Sequence, residues 1–162
     1  MEIAIVSDTH IPSRASRIPD PFRERIETAD HVVHAGDFDS EGALSNVRAL
    51  SSRLTAVGGN MDPRIGLPDR ATVELGGVTF VVTHGTGSPR GWADRVAAAV
   101  REETDGGAVG VAGHTHELTD TVYEGVRLLN PGSVTGASPA DRPSMMTAAV
   151  EDGTLDVTQH EL

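Results

Sequence analysis

The sequence contains neither cysteine nor lysine. Without cysteine there is no disulfide framework, no thiolate zinc site and no thiol nucleophile, and the chain suits a reducing compartment. Every one of the 13 basic residues is arginine, set against 24 acidic residues, for a formal net charge of -11. A field of that sign repels nucleic acid polymers and anionic membranes, so neither is an expected partner. Aromatic residues are scarce, at 3%. No apolar run reaches the 18 residues that would suggest a membrane-spanning helix. Met1-Glu2-Ile3 leads straight into a strand pattern, without a basic start or a cleavable apolar segment, and the expected location is cytoplasmic.

The chain's 162 residues fit one domain, spanning 1–162. A chain of that length buries roughly 70% of its unfolded surface and needs no staple. Short apolar runs recur at 2–6, 31–34, 54–57, 78–83 and 108–112, each running into a loop that contains glycine or a metal-type side chain. Between them the periodicity predicts helices over 22–28, with Pro21 in the first turn, over 41–50, with Ser40 as N-cap, and over 92–103. The alternation of strands and helices in the first half argues for parallel pairing. Three hairpins are expected around Gly76-Gly77, Glu124-Gly125 and Asp152-Gly153. Many strands and about three helices suggest two packed sheets with helices outside, and sites on such sheets lie at the carboxyl ends of strands.

Seven metal-type side chains fall at those ends: Asp8, His10, Asp37, Asn60, His84, His114 and His116. Asp8-Thr9-His10 and His114-Thr115-His116 present alternate residues, which on extended backbone share one face and can reach one ion. Singly, each segment has a plainer reading. Asp37 after Gly36 suits a turn cap, Asn60 after Gly59 a left-handed turn, and His84 a polar strand end. Together, three oxygen-bearing residues and four imidazoles are enough for two metal ions sharing one ligand, which points to metal-assisted hydrolysis. The other imidazoles, His31, His34 and His160, are expected to be structural or at the surface, with His34 the nearest to Asp37.

The ordered set Asp8-x-His10, Gly36-Asp37, Gly59-Asn60, His84 and Gly113-His114-x-His116 resembles the calcineurin-like metallophosphoesterase family. The short length and Asn130-Pro131-Gly132-Ser133 resemble its small prokaryotic phosphodiesterase branch. The resemblance spans residues 3 to 133. It implies a four-layer αββα sandwich of two mixed β-sheets with outer helices. It also implies a two-metal site: Asp8, His10, Asp37 and His116 on the first ion, Asp37 as the bridge, and Asn60, His84 and His114 completing the second. Asp37, Asn60, His84 and His10 would then also carry the catalysis, with a metal-bridging hydroxide attacking a small or nucleotide-like phosphodiester. Mixed nitrogen and oxygen ligands suit manganese first, with nickel, iron or zinc as alternatives, rather than calcium.

Two positions depart from the family pattern. Met61 stands where many members carry a histidine that assists the leaving group, and methionine has no proton to donate. Water, a metal-bound group or His10 are the remaining candidates for that step. Ser40 replaces an acidic residue three positions after Asp37, with Asp39 beside it. Asp39 or Asp62 can orient a ligand imidazole; a helix cap for Asp39 and a turn for Asp62-Pro63 are the alternative. Arg14, Arg64 and Arg90, in loops near the motifs, are candidates to pair with a phosphate. A phosphomonoesterase is the competing enzymatic reading. The competing non-enzymatic one is a protein-interaction scaffold, since the family includes a retromer subunit that uses the fold for assembly.

The acidic, lysine-free composition, rich in alanine, valine, glycine and threonine, reads as adaptation to molar salt, where screening suppresses self-repulsion. The melting temperature is therefore expected to rise between low and molar potassium chloride; a flat profile would contradict a halophilic protein.

Overall fold

The computed structural model describes residues 1–105 and 107–162. Its elements run in the order β1 (Glu2–Val6), α1 (Asp20–Thr28), β2 (His31–His34), α2 (Glu41–Leu50), β3 (Leu54–Ala56), β4 (Arg70–Leu75), β5 (Val78–Thr83), α3 (Trp92–Glu103), β6 (Val109–Val111), β7 (Leu118–Tyr123), β8 (Val126–Pro131), β9 (Ser144–Glu151) and β10 (Thr154–Glu161). The expected hairpins, β4-β5, β7-β8 and β9-β10, all form. Helix α1 begins two residues before the expected start, because Pro21 occupies the second helical position, where its missing N–H costs nothing. Ser40 caps α2 by accepting the Ala43 N–H at 3.1 Å, as its place before the apolar stripe indicated.

The strands form two five-stranded sheets, ordered β10-β9-β1-β2-β3 and β4-β5-β6-β8-β7. Both are mixed. In the first, β1, β2 and β3 are parallel and β9 and β10 antiparallel. In the second, β5, β6 and β8 are parallel and the hairpin partners β4 and β7 antiparallel.

Alternation along the strands sets the layers, since successive side chains point to opposite faces. Ile3 and Ile5 face the second sheet and pack with Phe80, Val82, Val111 and Leu129. Ala4 and Val6 face outward under α1 and α2, against Phe22, Ile26, Leu44 and Val47. On the far side Val81 and Leu128 pack beneath α3, against Trp92, Val96 and Val100. The result is the αββα sandwich, with the parallel strands β1, β2 and β3 running to one edge of the first sheet, β5, β6 and β8 at the centre of the second, and their carboxyl ends together. Among the described residues no helix is long and apolar enough to cross a membrane.

His34, the last residue of β2, ties two of the loops that leave these ends. It is fully buried and stacks on Phe38 with ring centroids 3.6 Å apart. The Gly36 N–H donates to its Nδ1 at 3.0 Å, so the ring is neutral there and its Nε2–H donates to the Thr9 hydroxyl at 2.8 Å. A histidine expected to be structural or superficial is therefore a buried brace, placed inward because β2 is covered on both faces. Burial pushes its pKa down to about 3, so the unfolded chain takes up a proton near pH 6.5 that the folded chain refuses. Stability thus falls as the pH drops below 6.5. His84 and His10, whose pKa values are raised, act in the opposite sense, and their contribution is complete below that pH. Urea unfolding in chelator is expected to show about 2 kcal/mol less stability at pH 5 than at pH 7 from this group. His34→Gln should lack that portion; an unchanged pH dependence in the variant would contradict the assignment.

Candidate metal centre

All seven sequence-predicted residues converge where the central strands end. Asp8 and His10 follow β1, Asp37 follows β2, Asn60 follows β3, His84 follows β5, and His114 and His116 follow β6. Backbone bonds zip the loops together: Asp8 N–H to Gly36 O at 2.9 Å, His10 N–H to Asp37 O at 3.1 Å, and Gly113 N–H to His84 O at 3.0 Å. Glycine is required at two of these approaches. A Cβ on Gly59 would sit 2.6 Å from the Asp37 backbone nitrogen and overlap its carboxylate, and one on Gly113 would overlap the Ser7 hydroxyl and the Asp8 carboxylate.

The backbone differs from the extended geometry expected for the alternate pairs. Asp8, His10, Asp37, His114 and His116 all have positive φ, between 47° and 72°. These residues lie past the last ladder bond, where tight loops turn the chain, and each such conformation costs a non-glycine residue on the order of 1 kcal/mol or more. Asn60 is not among the left-handed residues. One consequence is that His114 and His116, instead of sharing an ion, belong to different clusters. Asp8, His10 and His116 form one group of potential metal ligands, and Asp37, His84 and His114 the other.

Each imidazole commits one nitrogen to an acceptor outside the cluster. His10 Nδ1 bonds Asp39 Oδ1 at 2.8 Å, His84 Nδ1 the Ala35 carbonyl at 2.7 Å, His116 Nδ1 the Ala137 carbonyl at 2.7 Å, and His114 Nε2 the Gly87 carbonyl at 2.7 Å. Those nitrogens must carry the proton, because carbonyls and carboxylates only accept. The opposite nitrogens of the neutral rings carry lone pairs, and these face the centre. His10 Nε2 lies 3.2 Å from His116 Nε2, and His114 Nδ1 lies 3.1 Å from Asn60 Oδ1. Acceptors that close repel unless a proton or a cation lies between them.

The carboxylates sharpen the point. Asp8 Oδ2 is satisfied by the Ser7 hydroxyl at 2.7 Å and the His114 N–H at 3.0 Å, while its buried Oδ1 has no hydrogen-bond partner among the described residues; nor has His84 Nε2. Asp37 Oδ1 accepts the Met61 N–H at 2.9 Å. Its Oδ2 faces both groups, 3.6 Å from His10 Nε2 and 3.1 Å from His84 Nε2, the latter a close charge contact rather than an aligned hydrogen bond. Burial alone would raise the Asp8 carboxyl, but the surrounding His10, His116 and His84 rings hold it far below the usual range. Burial likewise disfavours a charged His84, and the Asp37 and Asp8 carboxylates outweigh it, raising the ring to about 8. The converging donors and orphaned buried atoms fit divalent ions of intermediate softness.

Outside the seven, the braces were only partly visible in the sequence. Asp39 orients His10 and also accepts from Ser13, the outer role that a caps-and-turns reading had left open. Asp62 holds backbone instead of a ring: its carboxylate accepts the N–H groups of Asp37, Phe38, Asp39 and Gly59 at 2.7–2.9 Å. Ser133 donates to Asp8 O at 2.7 Å, and Asn130 to Thr115 Oγ1 at 2.8 Å; only their place after the last motif had marked them. Arg14 donates to the Ser138 carbonyl, and among the described residues neither it nor Arg64 nor Arg90 makes a hydrogen bond or ion pair with the seven. Met61 is exposed beside Asn60. Two clefts flank the centre: one of about 390 Å³ reaching His84 and Asn60, the other of about 570 Å³ reaching His116.

Comparison with known proteins agrees with this arrangement. The family model for the calcineurin-like phosphoesterase superfamily domain matches residues 1–153. A probable metallophosphoesterase of Methanothermobacter thermautotrophicus is 34% identical over 96% of this chain and 90% of its own. Among solved structures, Vps29 of Entamoeba histolytica complexed with zinc superposes with a TM-score of 0.78 at 27% identity, covering 99% of both chains. A predicted phosphoesterase from Streptococcus pneumoniae gives 0.76 at 25% identity, covering 99% of this chain and 88% of that one. With its fold, its motifs and its clustered ligands in agreement, the chain belongs to the calcineurin-like phosphoesterase superfamily.

Proposed function

We propose that the chain is a two-metal-dependent phosphodiesterase acting on small or nucleotide-like phosphodiesters. The observation that carries this reading is the convergence of imidazole lone pairs on two carboxylates. Asp8, His10 and His116 would hold one divalent ion, Asn60, His84 and His114 the other, with Asp37 as the shared ligand, consistent with its approach to a ring of each group. Manganese is the first candidate, with nickel, iron or zinc as alternatives. Such ions, when bound, would supply Lewis acidity, lowering the pKa of water toward neutrality and offsetting charge on phosphoryl oxygens.

The protein's own groups set the rest. Asp39, Ala35 O, Ala137 O and Gly87 O keep each ring turned with its lone pair inward. No ring nitrogen among the four is left to protonate a leaving group. His10, a candidate for that step on sequence grounds, has Nδ1 on Asp39 and Nε2 in the cluster. Met61 supplies no proton either. Solvent is then the source, which favours esters with good leaving groups. The two clefts, one beside each ligand group, support a diester with an arm on either side.

Vps29 similarity supports a second reading, a protein-assembly module on the same fold. The test is hydrolysis of bis(p-nitrophenyl) phosphate and of p-nitrophenyl phosphate with manganese, at molar salt. The diester is expected to turn over faster. Asp37→Ala and His84→Ala should each lose roughly 100-fold or more, since a ligand outweighs the 10–100-fold of its outer partners, while Met61→Ala keeps most of the rate. Turnover of neither ester would favour the assembly module, and preference for the monoester a phosphomonoesterase.

A further inference from the structure

His114 differs from the other three imidazoles of the centre. They are buried, whereas His114 is half-exposed. His84 is held by the carbonyl just past β2, and His10 and His116 by Asp39 and Ala137. His114 depends on Gly87 O, in the glycine-rich loop of residues 85–91. The position of that one carbonyl therefore determines which His114 nitrogen faces Asn60.

The loop is wrapped around Arg95, in the first turn of α3. Arg95 Nη2 donates to Gly85 O at 3.1 Å and to Ser88 O at 2.6 Å. Between them Gly87, at φ +133°, lies against the guanidinium: a Cβ there would meet Cζ at 2.8 Å and Nε at 3.0 Å. Arg95 Nε is buried without a hydrogen-bond partner among the described residues. One turn of α3 steadies both sides of His114, because Trp92, three residues earlier on the same face, donates from Nε1 to Gly113 O at 2.9 Å. Both bonds leave the same nitrogen, so what sets the guanidinium apart is the flat face it lays against Gly87, which an ammonium lacks.

We infer that Arg95 is a positioning residue: by gripping Gly85 and Ser88 it sets Gly87 O, and through it holds His114 with Nε2 protonated and Nδ1 presented to the Asp37, Asn60 and His84 group. The inference rests on the two-metal reading. Its consequence is selective: Arg95 supports the second ion and leaves the first, on Asp8, His10 and His116, untouched.

The test uses Arg95→Met in the full chain, with two readouts. Manganese titration calorimetry of the parent should show two ions; in the variant one keeps its affinity and the other weakens about 10–100-fold, the usual cost of losing an outer-shell partner. In metal-free protein, nitrogen-15 spectra of His114 should show the Nε2–H tautomer in the parent and tautomer averaging in the variant, a change that loss of stability alone does not produce. Unchanged second-ion affinity and an unchanged His114 spectrum would overturn the inference. Fewer than two ions in the parent would instead overturn the two-metal reading. If Arg95→Met does not fold, Arg95→Lys, which keeps one carbonyl contact, is read by the same spectra and must show partial averaging.

Discussion

Four imidazoles each surrender one nitrogen to the scaffold, and that commitment organises the rest of the centre. Asp39, the Ala35 and Ala137 carbonyls and the Gly87 carbonyl accept the ring N–H groups. The lone pairs left over converge on Asp8 and Asp37. In water such a cluster of acceptors would disperse; in a buried site it must be neutralised by protons or by cations. The perturbed groups, with Asp8 far below its usual range and His84 raised to about 8, are the metal-free form of that neutralisation.

The fold delivers this arrangement through strand ends. Two sheets, each with three parallel strands, bring five loops to one rim, and the loops are too tight for ordinary backbone. Left-handed Asp8, His10, Asp37, His114 and His116 carry the strain. Asp62, His34, Asn130 and Ser133 hold it in place through bonds to neighbouring backbone and hydroxyl groups. Strain of this kind persists only where the surroundings over-determine it. Here four backbone N–H groups on one carboxylate, and a histidine buried between two loops, supply the over-determination.

The seven site residues and the sandwich were legible in the sequence because both depend on period and position: apolar alternation fixes the sheet faces, and polar residues after a strand mark its carboxyl end. The split of His114 and His116 between clusters did not follow from spacing, since extended backbone would have paired them. It depends on left-handed turns that non-glycine letters do not announce. His34 was undervalued because nothing in a four-residue strand distinguishes a buried histidine from a surface one until both faces are seen to be covered. Asp39 and Asp62 were visible as acids near the site, but apart from Gly59 their partners come from loops 23 to 29 residues away, which local pattern cannot supply. Arg95 was hidden by the same kind of separation, since its carbonyl partners lie seven and ten residues earlier, across a turn.

If the converging lone pairs hold two ions that share Asp37, anomalous diffraction from crystals grown with manganese should show two peaks about 3.5–4 Å apart, one against Asp8, His10 and His116, the other against Asn60, His84 and His114, with Asp37 touching both. A single peak, or none with Asp37 left to the imidazole rings alone, would rule out the two-ion centre.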